Sequence, residues 1–349
     1  MNIKSKKILW TAILVSSFVV LWSRSAQSET PDKAMTLLEF SEQSADLAAK
    51  VSSGTVYLSV ARNSGGEMGR GLGTGFVVDA IKGIVVTNAH VMDGSTSATV
   101  QFHDGRIVRG VLLGVDKQTD LAVLDIPPGS AKHQLAWGDS DLIRPGHLVM
   151  AIGSPLGMEG TTSLGVISAL GRQLKMVKGS YEDFLQFDAF IDRGSSGGPL
   201  VNMNGEVIGI NTAIGGGGGG GEPMWRGIGY AIPTAIAKRY VHDLAETGTI
   251  RRGWIGVSVK GLDAQGAKLR GLEHTYGVEV WSVVKNGPAH KAGIRQGDVI
   301  LEIDGREIQT ANQVKARIAA VSPGSSVKVK ILSKRSIRTI RVTLGVLDV

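Results

Sequence analysis

The chain has 349 residues, enough for about two domains, with a formal net charge of +7 and no cysteine. The lack of cysteine excludes disulfides, a cysteine nucleophile and thiolate metal sites, and the seven histidines lack metal-binding spacings such as His-Glu-x-x-His. The positive charge is not accompanied by aromatic platforms or a reader motif for nucleic acid. We therefore expect no metal, no cofactor and no nucleic-acid partner.

Residues 1–33 have the pattern of a targeting segment. Three lysines precede the uncharged, mostly apolar run Ile8–Trp22, and the small residues of Ala26–Ser28 form a passable cleavage site. The alternative is an uncleaved inner-membrane tether, because Trp10 and Trp22 bracket the run as interfacial aromatics would. Either reading predicts that the remainder is exported, and we expect the periplasm.

Residues 34–248 are predicted to form the first domain. It begins with a short amphipathic helix over residues 36 to about 50, in which Leu37, Phe40, Leu47 and Val51 fall near one stripe. Short apolar runs separated by glycine-rich turns follow: Val56–Val60, Gly75–Val78, Ile84–Thr87, Ala98–Phe102, Val108–Val115, Leu121–Ile126 and Leu148–Ile152, with the same texture continuing to Ile232. Many short strands at regular spacing predict a mostly β barrel or sandwich.

A helix over Thr234–Glu246 is expected to close this domain, capped by Thr234 and stopped by Gly248. Residues 249–349 then form a small α+β domain. Its helix starts at the capping box Thr310–Gln313. Near the end of the chain, lysines and arginines alternate with Val and Ile, which predicts the solvated face of two paired strands.

The segment Asp192–Leu200, which reads Asp-Arg-Gly-Ser-Ser-Gly-Gly-Pro-Leu, has the chemistry of an activated serine. A serine hydroxyl needs a neighbouring base to become nucleophilic, and donors aimed at the developing oxyanion. Glycines beside Ser196 permit a tight backbone path that turns the amides of Gly194 and Ser196 inward. Taken alone, the segment is equally consistent with a plain glycine-rich hairpin.

Two further positions favour catalysis over a plain hairpin. His90 ends an apolar strand in Thr-Asn-Ala-His-Val, and Asp120 heads another in Thr-Asp-Leu-Ala-Val-Leu. Alone, the histidine would be read as structural and the aspartate as a turn residue. The order His, Asp, Ser is the chain order of chymotrypsin-type triads and differs from the Ser, Asp, His order of α/β-hydrolases.

These segments resemble the HtrA/Deg family of trypsin-like serine proteases over roughly residues 36–345. The matching segments are those around His90, Asp120 and Ser196, together with Gly229–Pro233 and the PDZ-like Gly287–Ile300. The resemblance implies a chymotrypsin-like double β-barrel followed by one PDZ domain. It also implies His90 as general base, Asp120 as its orienting carboxylate, Ser196 as nucleophile, and the Gly194 and Ser196 amides as the oxyanion hole.

By the same resemblance, the specificity pocket is lined by Ile210 and Ile228, which would make it apolar and fairly small. Two residues depart from the family pattern: Arg193 stands where the family commonly has proline, and Ser195 where it has asparagine. Seven consecutive glycines, Gly215–Gly221, fall where the family carries an activation loop. We expect this run to make the resting pocket costly to order.

Arg252–Val257 resembles the carboxylate-binding loop of PDZ domains, with Trp254, Ile255, Gly256 and Val257 as the peptide-binding residues. The strand after this loop would pair with an extended C-terminal peptide beside the helix that follows Thr310. Arg251 or Arg252 could add charge attraction. A glycine-containing strand start without a ligand is the simpler alternative.

The expected function is ATP-independent endoproteolysis of misfolded or unfolded exported proteins in quality control, regulated by peptides that bind the PDZ domain. By resemblance, the protein should be a homotrimer assembled near Leu37–Phe40. One alternative is a chaperone or scaffold that binds protein C-termini. Another is a membrane-tethered protease of the stress response with one specific substrate.

Overall fold

A computed structural model describes residues 35–64, 67–154, 160–174, 180–214, 227–272 and 275–347. The predictions for the targeting segment 1–33 and for the glycine run Gly215–Gly221 lie outside the described residues. Residues 46–349 form one compact unit. In the described ranges, no helix combines the length and the apolarity that crossing a membrane requires.

Helix α1 spans Leu37–Ser53. Thr36 and Glu39 form a reciprocal cap, because the Glu39 amide donates to Thr36 Oγ1 at 3.1 Å and the Thr36 amide donates to Glu39 Oε2 at 2.7 Å. Leu47 and Val51 are buried, as the predicted stripe requires, whereas Leu37 is 88% exposed.

The first barrel is closed by antiparallel strands in the order β1-β2-β3-β6-β5-β4, with β4 pairing back onto β1. Its elements in the described ranges are β1 (Thr55–Ser64), β2 (Glu67–Asp79), β3 (Ile84–Thr87), helix α2 (Ala89–Met92), β4 (Ser97–Phe102), β5 (Ile107–Asp116) and β6 (Leu121–Asp125). Both β3 and the start of β6 are fully buried, so the segments that precede His90 and follow Asp120 are rigid core strands.

The second barrel has the order β10-β11-β12-β9-β8-β7. Its elements in the described part of the chain are the 3-10 turn Ser140–Leu142 and strands β7 (Leu148–Gly153), β8 (Thr161–Arg172), β9 (Phe184–Phe187), β10 (Pro199–Val201), β11 (Val207–Ile214) and β12 (Gly229–Pro233). An apolar cluster with members from both barrels, including Phe76, Leu121, Met150, Ile152 and Ile210, joins the two into one body. This architecture confirms the predicted mostly β, chymotrypsin-like double barrel.

Helix α3 (Thr234–Thr247) follows β12 and ends at Gly248, which has φ +72° and supplies the predicted stop. The predicted cap is wrong. Pro233 occupies the capping position, and Thr234 is already helical. The Thr234 hydroxyl instead accepts from the Ser140 amide and donates to the Gly138 carbonyl, both at 3.1 Å, because it faces the 3-10 turn and not the helix start.

The C-terminal domain is a small sheet in the order β14-β15-β16-β18-β19, with β17 paired to β16 and a separate pair β13-β20. Its described elements are β13 (Gly253–Trp254), β14 (Val257–Gly261), α4 (Ala264–Leu269), β15 (Val278–Val283), α5 (Pro288–Lys291), β16 (Val299–Ile303), β17 (Arg306–Glu307), α6 (Ala311–Ala319), β18 (Ser326–Ser333), β19 (Ser336–Thr343) and β20 (Gly345–Val346). The Thr310–Gln313 capping box and the pairing of the two C-terminal strands are confirmed.

Polar contacts join this domain to the barrels. Arg252 pairs with Asp116 at 2.5 Å, Arg317 pairs with Asp141 at 3.0 Å, and Asn312 Nδ2 donates to a main-chain carbonyl of the second barrel. Of the two arginines predicted to attract the peptide, Arg252 is buried against the first barrel and that alternative is wrong, whereas Arg251 is exposed and stays a prediction.

Candidate active site

His90 lies in the first turn of α2, immediately after the buried strand β3, and its side chain is exposed. The preceding Asn88 is fully buried and extended, and its amide group donates to the Asp120 carbonyl at 2.8 Å instead of capping the helix. The histidine therefore projects from a short helix whose start is tied to the turn that carries Asp120.

The Asp120 carboxylate is held by three donors. Oδ1 accepts from the His90 amide at 3.0 Å, and Oδ2 lies 2.8 Å from His90 Nδ1 and accepts from Thr212 Oγ1 at 2.5 Å. Because an ionised carboxylate only accepts, Nδ1 must carry the ring proton, which leaves Nε2 as the basic nitrogen. The arrangement thus selects the tautomer of the imidazole that can accept a proton.

Asp120 also has a left-handed backbone, with φ +58°. This conformation costs a non-glycine residue about 1–2 kcal/mol, although aspartate and asparagine tolerate it best. The bond from Asn88 to the Asp120 carbonyl and the three bonds to its carboxylate over-determine the position, so the local cost is met by the surrounding contacts.

Ser196 lies in the glycine turn between β9 and β10. The Ser195 amide donates to the Asp192 carbonyl at 2.9 Å, and Gly194 and Gly197 take φ values of +97° and +86°. The Ser196 hydroxyl donates to the Thr212 carbonyl at 3.5 Å, a weak contact. Thr212 therefore contacts Ser196 through its carbonyl and Asp120 through its hydroxyl, and Asp120 in turn contacts His90.

The amides of Gly194 and Ser196 were predicted to form an oxyanion hole. Among the residues that the structure describes, neither amide donates to a protein acceptor, whereas the Ser195 amide between them does. Both are thus available to an external oxygen, which is the property that an oxyanion hole needs.

Sequence reasoning did not select Thr212, which is 4% exposed in the middle of strand β11. A buried hydroxyl in an otherwise apolar strand needs a hydrogen-bond partner. That need was the available signal, but only the fold shows that the partner is the Asp120 carboxylate.

A cleft of about 760 Å³ opens beside His90 and Asp120. Met92, Leu112 and Phe184 give it an apolar part, and Lys117 and Glu182 give it charges of both signs. Tyr181 also lines the cleft, and burial raises the pKa of its hydroxyl above the ordinary value. The tyrosine therefore stays neutral at physiological pH. Across the described residues, no cluster of His, Cys, Asp and Glu could hold a metal ion.

The two residues predicted to line the specificity pocket lie in different surroundings. Ile210 is fully buried within the cluster that joins the barrels, and Ile228 is half-buried just before β12. Residues 215–226 lie outside the described part, so the pocket stays a prediction.

The predicted carboxylate-binding loop connects β13 to β14. Gly256 turns the chain with φ +79°, and the ring of Trp254 would lie 3.2 Å from a Cβ at this position, so Trp254 supports the turn. The carbonyls of Ile255 and Gly256 accept bonds from Ala289 and Val284, both at 2.9 Å. Within the described residues β14 pairs with β15 alone, which leaves its other edge, starting at Val257, open to an added strand.

Two family models match the chain: a trypsin-like peptidase domain over residues 73–210 and a PDZ domain over residues 253–344. The chain is 42% identical over 273 residues to a probable periplasmic serine endoprotease, DegP-like, of Chlamydia trachomatis, which covers 78% of this chain and 53% of that protein. It is 39% identical over 277 residues to the periplasmic pH-dependent serine endoprotease DegQ of Escherichia coli, which covers 78% and 59%. The chain spans little more than half the length of these relatives.

Solved structures are similar over most of both chains. The HtrA-type protease AlgW with a tripeptide has a TM-score of 0.67 and 36% identity, covering 87% of this chain and 97% of that one. The same protease with a decapeptide has a TM-score of 0.62 and 33% identity, covering 87% and 99%.

Proposed function

Because the chain belongs to the HtrA family of trypsin-like serine proteases with a PDZ domain, we propose that it is an exported serine endopeptidase. Its substrates are unfolded or misfolded proteins of the periplasm, since its relatives are periplasmic endoproteases by name. The observation that carries the proposal is the bond of 2.8 Å between His90 Nδ1 and Asp120 Oδ2, with Thr212 contacting both Asp120 and Ser196.

The chemistry assigned to these residues is acyl transfer. His90 Nε2 takes the Ser196 proton as the serine oxygen attacks the scissile carbonyl, and Asp120 stabilises the imidazolium that forms. The amides of Gly194 and Ser196 bind the oxygen of the tetrahedral intermediate. His90 then returns the proton to the leaving amine, and water hydrolyses the acyl-enzyme by the same route.

The C-terminal domain is proposed to bind the C-termini of peptides. The open edge of β14 supplies main-chain pairing, and the turn at Gly256 presents its amides to a terminal carboxylate. We further propose a homotrimer assembled through the start of α1, where Leu37 and Leu38 are 88% and 71% exposed. Such exposed apolar side chains are typical of association surfaces.

The test compares the wild type with Ser196→Ala on a permanently unfolded protein and on a fluorophosphonate probe. We expect the variant to lose at least about 10³-fold in kcat and all labelling by the probe. It should still bind a peptide with a free C-terminal carboxylate, and bind its amidated counterpart less well, in fluorescence anisotropy. Equal cleavage by both proteins would exclude Ser196 as the nucleophile. No cleavage by the wild type with intact peptide binding would favour a chaperone or scaffold.

A further inference from the structure

Thr74, in strand β2 of the first barrel, contacts the nucleophile turn of the second barrel with its hydroxyl and with its main-chain amide. It is fully buried. Its hydroxyl donates to the Gly194 carbonyl at 2.7 Å and accepts from the Ser154 amide at 3.1 Å. Its own amide donates to the Ser196 carbonyl at 2.9 Å, and its carbonyl accepts from Thr87 Oγ1 at 2.7 Å.

The hydroxyl of Thr74 both donates and accepts, which no apolar side chain of the same shape can do. A hydroxyl has one proton and two lone pairs, so one group serves the Gly194 carbonyl and the Ser154 amide together. Valine would leave both of these groups unpaired in a buried place, and each such group is costly. Serine would satisfy both and would lose only the methyl group.

The two bonds from Thr74 to the turn fix two peptide planes that flank the oxyanion amides. The Thr74 hydroxyl holds the Gly194–Ser195 peptide by its carbonyl, and the N–H of the same peptide donates to the Asp192 carbonyl. The Thr74 amide holds the Ser196–Gly197 peptide by its carbonyl. The Ser196 N–H belongs to the Ser195–Ser196 peptide, which lies between these two. The Gly194 N–H belongs to the Arg193–Gly194 peptide, which comes directly before them. Thr74 thus holds the peptide next to each oxyanion amide, and the Gly198 amide holds the Ser195–Ser196 peptide itself by donating to the Ser195 carbonyl at 3.1 Å.

Close packing around the same contact restricts the turn further. A Cβ on Gly198 would lie 3.0 Å from Thr74 Cγ2 and 2.3 Å from the Ile152 carbonyl, and a Cβ on Gly153 would lie 2.9 Å from Ser195 Cβ. Strands from both barrels therefore confine the turn, and Thr74 supplies the hydrogen bonds that set its orientation.

We propose that Thr74 is a positioning residue for the oxyanion hole, acting through its hydroxyl on the peptide that follows Gly194. This inference rests on the proposed protease function. It assigns to the first barrel, which carries His90 and Asp120, a second role in catalysis: it orients the donors that belong to the second barrel.

The experiment compares Thr74→Val and Thr74→Ser with the wild type on a quenched fluorescent peptide, measuring kcat and KM separately. We expect Thr74→Val to lower kcat by at least about tenfold, toward the 10²–10³ that loss of one oxyanion donor costs, with KM changed by less than about threefold. Thr74→Ser should keep kcat within about threefold of the wild type, because it keeps the hydroxyl.

Thr55→Val is the matched control. Thr55 is also fully buried, and its hydroxyl donates to the Val51 carbonyl at 2.9 Å, at the end of α1. The Thr55→Val variant should have a lower thermal unfolding temperature, because it loses a buried hydrogen bond, while its kcat stays at the wild-type value. If Thr74→Val does not fold, Thr74→Ala compared with Thr74→Ser isolates the same hydroxyl.

A second readout does not depend on turnover. Amide hydrogen exchange of a peptide covering residues 192–198 should be faster in Thr74→Val than in Thr55→Val or the wild type. Unchanged exchange, or a folded Thr74→Val with wild-type kcat, would overturn the role of Thr74. Wild-type protein that cleaves no faster than Ser196→Ala would contradict the proposed function instead, and the exchange result would still decide the positioning role.

Discussion

At the scale of the residue, Asp120 combines a left-handed backbone with a carboxylate that accepts from the His90 amide, the His90 ring and Thr212. These bonds act on different atoms, so a substitution can remove the charge and keep the backbone. Asparagine is the suitable replacement, because it tolerates positive φ as well as aspartate does.

We expect Asp120→Asn to fold with nearly wild-type stability and to lose about 10⁴-fold in kcat on a peptide substrate. An asparagine amide can donate to Nδ1, which would move the ring proton to Nε2 and remove the base. Steady-state kinetics beside a urea unfolding curve checks this. A kcat within tenfold of the wild type would show that His90 does not depend on Asp120 for its tautomer.

The sequence predicts the roles of His90, Asp120 and Ser196 because each of them lies in a recognisable local motif. His90, Asp120 and Ser196 were selected because each ends or begins an apolar strand in a motif, and because their order matches a triad class. Thr212 and Thr74 were missed because a threonine inside a strand has no local mark of its partner. Both hydroxyls reach groups about 90 to 120 positions away in the chain, and only the closed barrels bring them together.

At the scale of the element, Gly197 in the turn from Asp192 to Gly198 has two reasons to be glycine: its left-handed backbone and the lack of room for a side chain. Gly105, outside this turn, is a suitable comparison, because the two glycines have similar left-handed φ values, +82° at Gly105 and +86° at Gly197. A Cβ at Gly105 would meet nothing within 4 Å, but at Gly197 it would lie 2.2 Å from both the Thr74 carbonyl and Thr87 Oγ1. The pair therefore separates backbone strain from steric conflict.

We predict that Gly105→Ala costs about 1–2 kcal/mol of unfolding free energy, the usual cost of a left-handed conformation, and leaves kcat unchanged. Gly197→Ala should cost more than about 3 kcal/mol or abolish fluorophosphonate labelling, because the turn must move away from Thr74 and Thr87. Denaturant unfolding and the labelling rate measure the two effects. Equal losses of unfolding free energy in the two variants would mean that the left-handed backbone alone explains why residue 197 is glycine.

Element boundaries were predictable where the signal was local and were wrong where it was not. Gly248 ends α3 and Thr310 starts α6 as expected, because both act on their own backbone. Thr234 was wrongly assigned as a cap, because its hydroxyl is used by Ser140 and Gly138. The double barrel itself came from the resemblance, since the strand pattern alone allowed a barrel or a sandwich.

At the scale of the whole molecule, Arg252 connects the two functional parts. Its side chain is 7% exposed, pairs with Asp116 at 2.5 Å and lies 4.4 Å over the ring of Tyr181. Asp116 also accepts from the Thr119 amide at 3.0 Å, next to Asp120. The residue just before the PDZ sheet is thus bonded to Asp116, which begins the turn that leads to Asp120. The sequence suggested a peptide contact for Arg251 or Arg252. It could not show that Arg252 is buried, because that burial depends on how the domains pack.

A double-mutant cycle tests the strength of this connection. Arg252→Met should cost about 3–5 kcal/mol of unfolding free energy, because the largely buried Asp116 carboxylate loses its counter-charge and keeps only the Thr119 donors. Arg252→Met combined with Asp116→Asn should recover much of that loss, since no buried charge then remains.

Lys82→Met is the matched control: its pair with Glu246, 3.1 Å apart with both side chains at least half exposed, should be worth at most about 1 kcal/mol. Chemical unfolding measures all of these variants. If Arg252→Met cost no more than Lys82→Met, the buried pair would contribute nothing to joining the PDZ domain to the barrels, and the remaining contacts of α6 with the second barrel would have to do so.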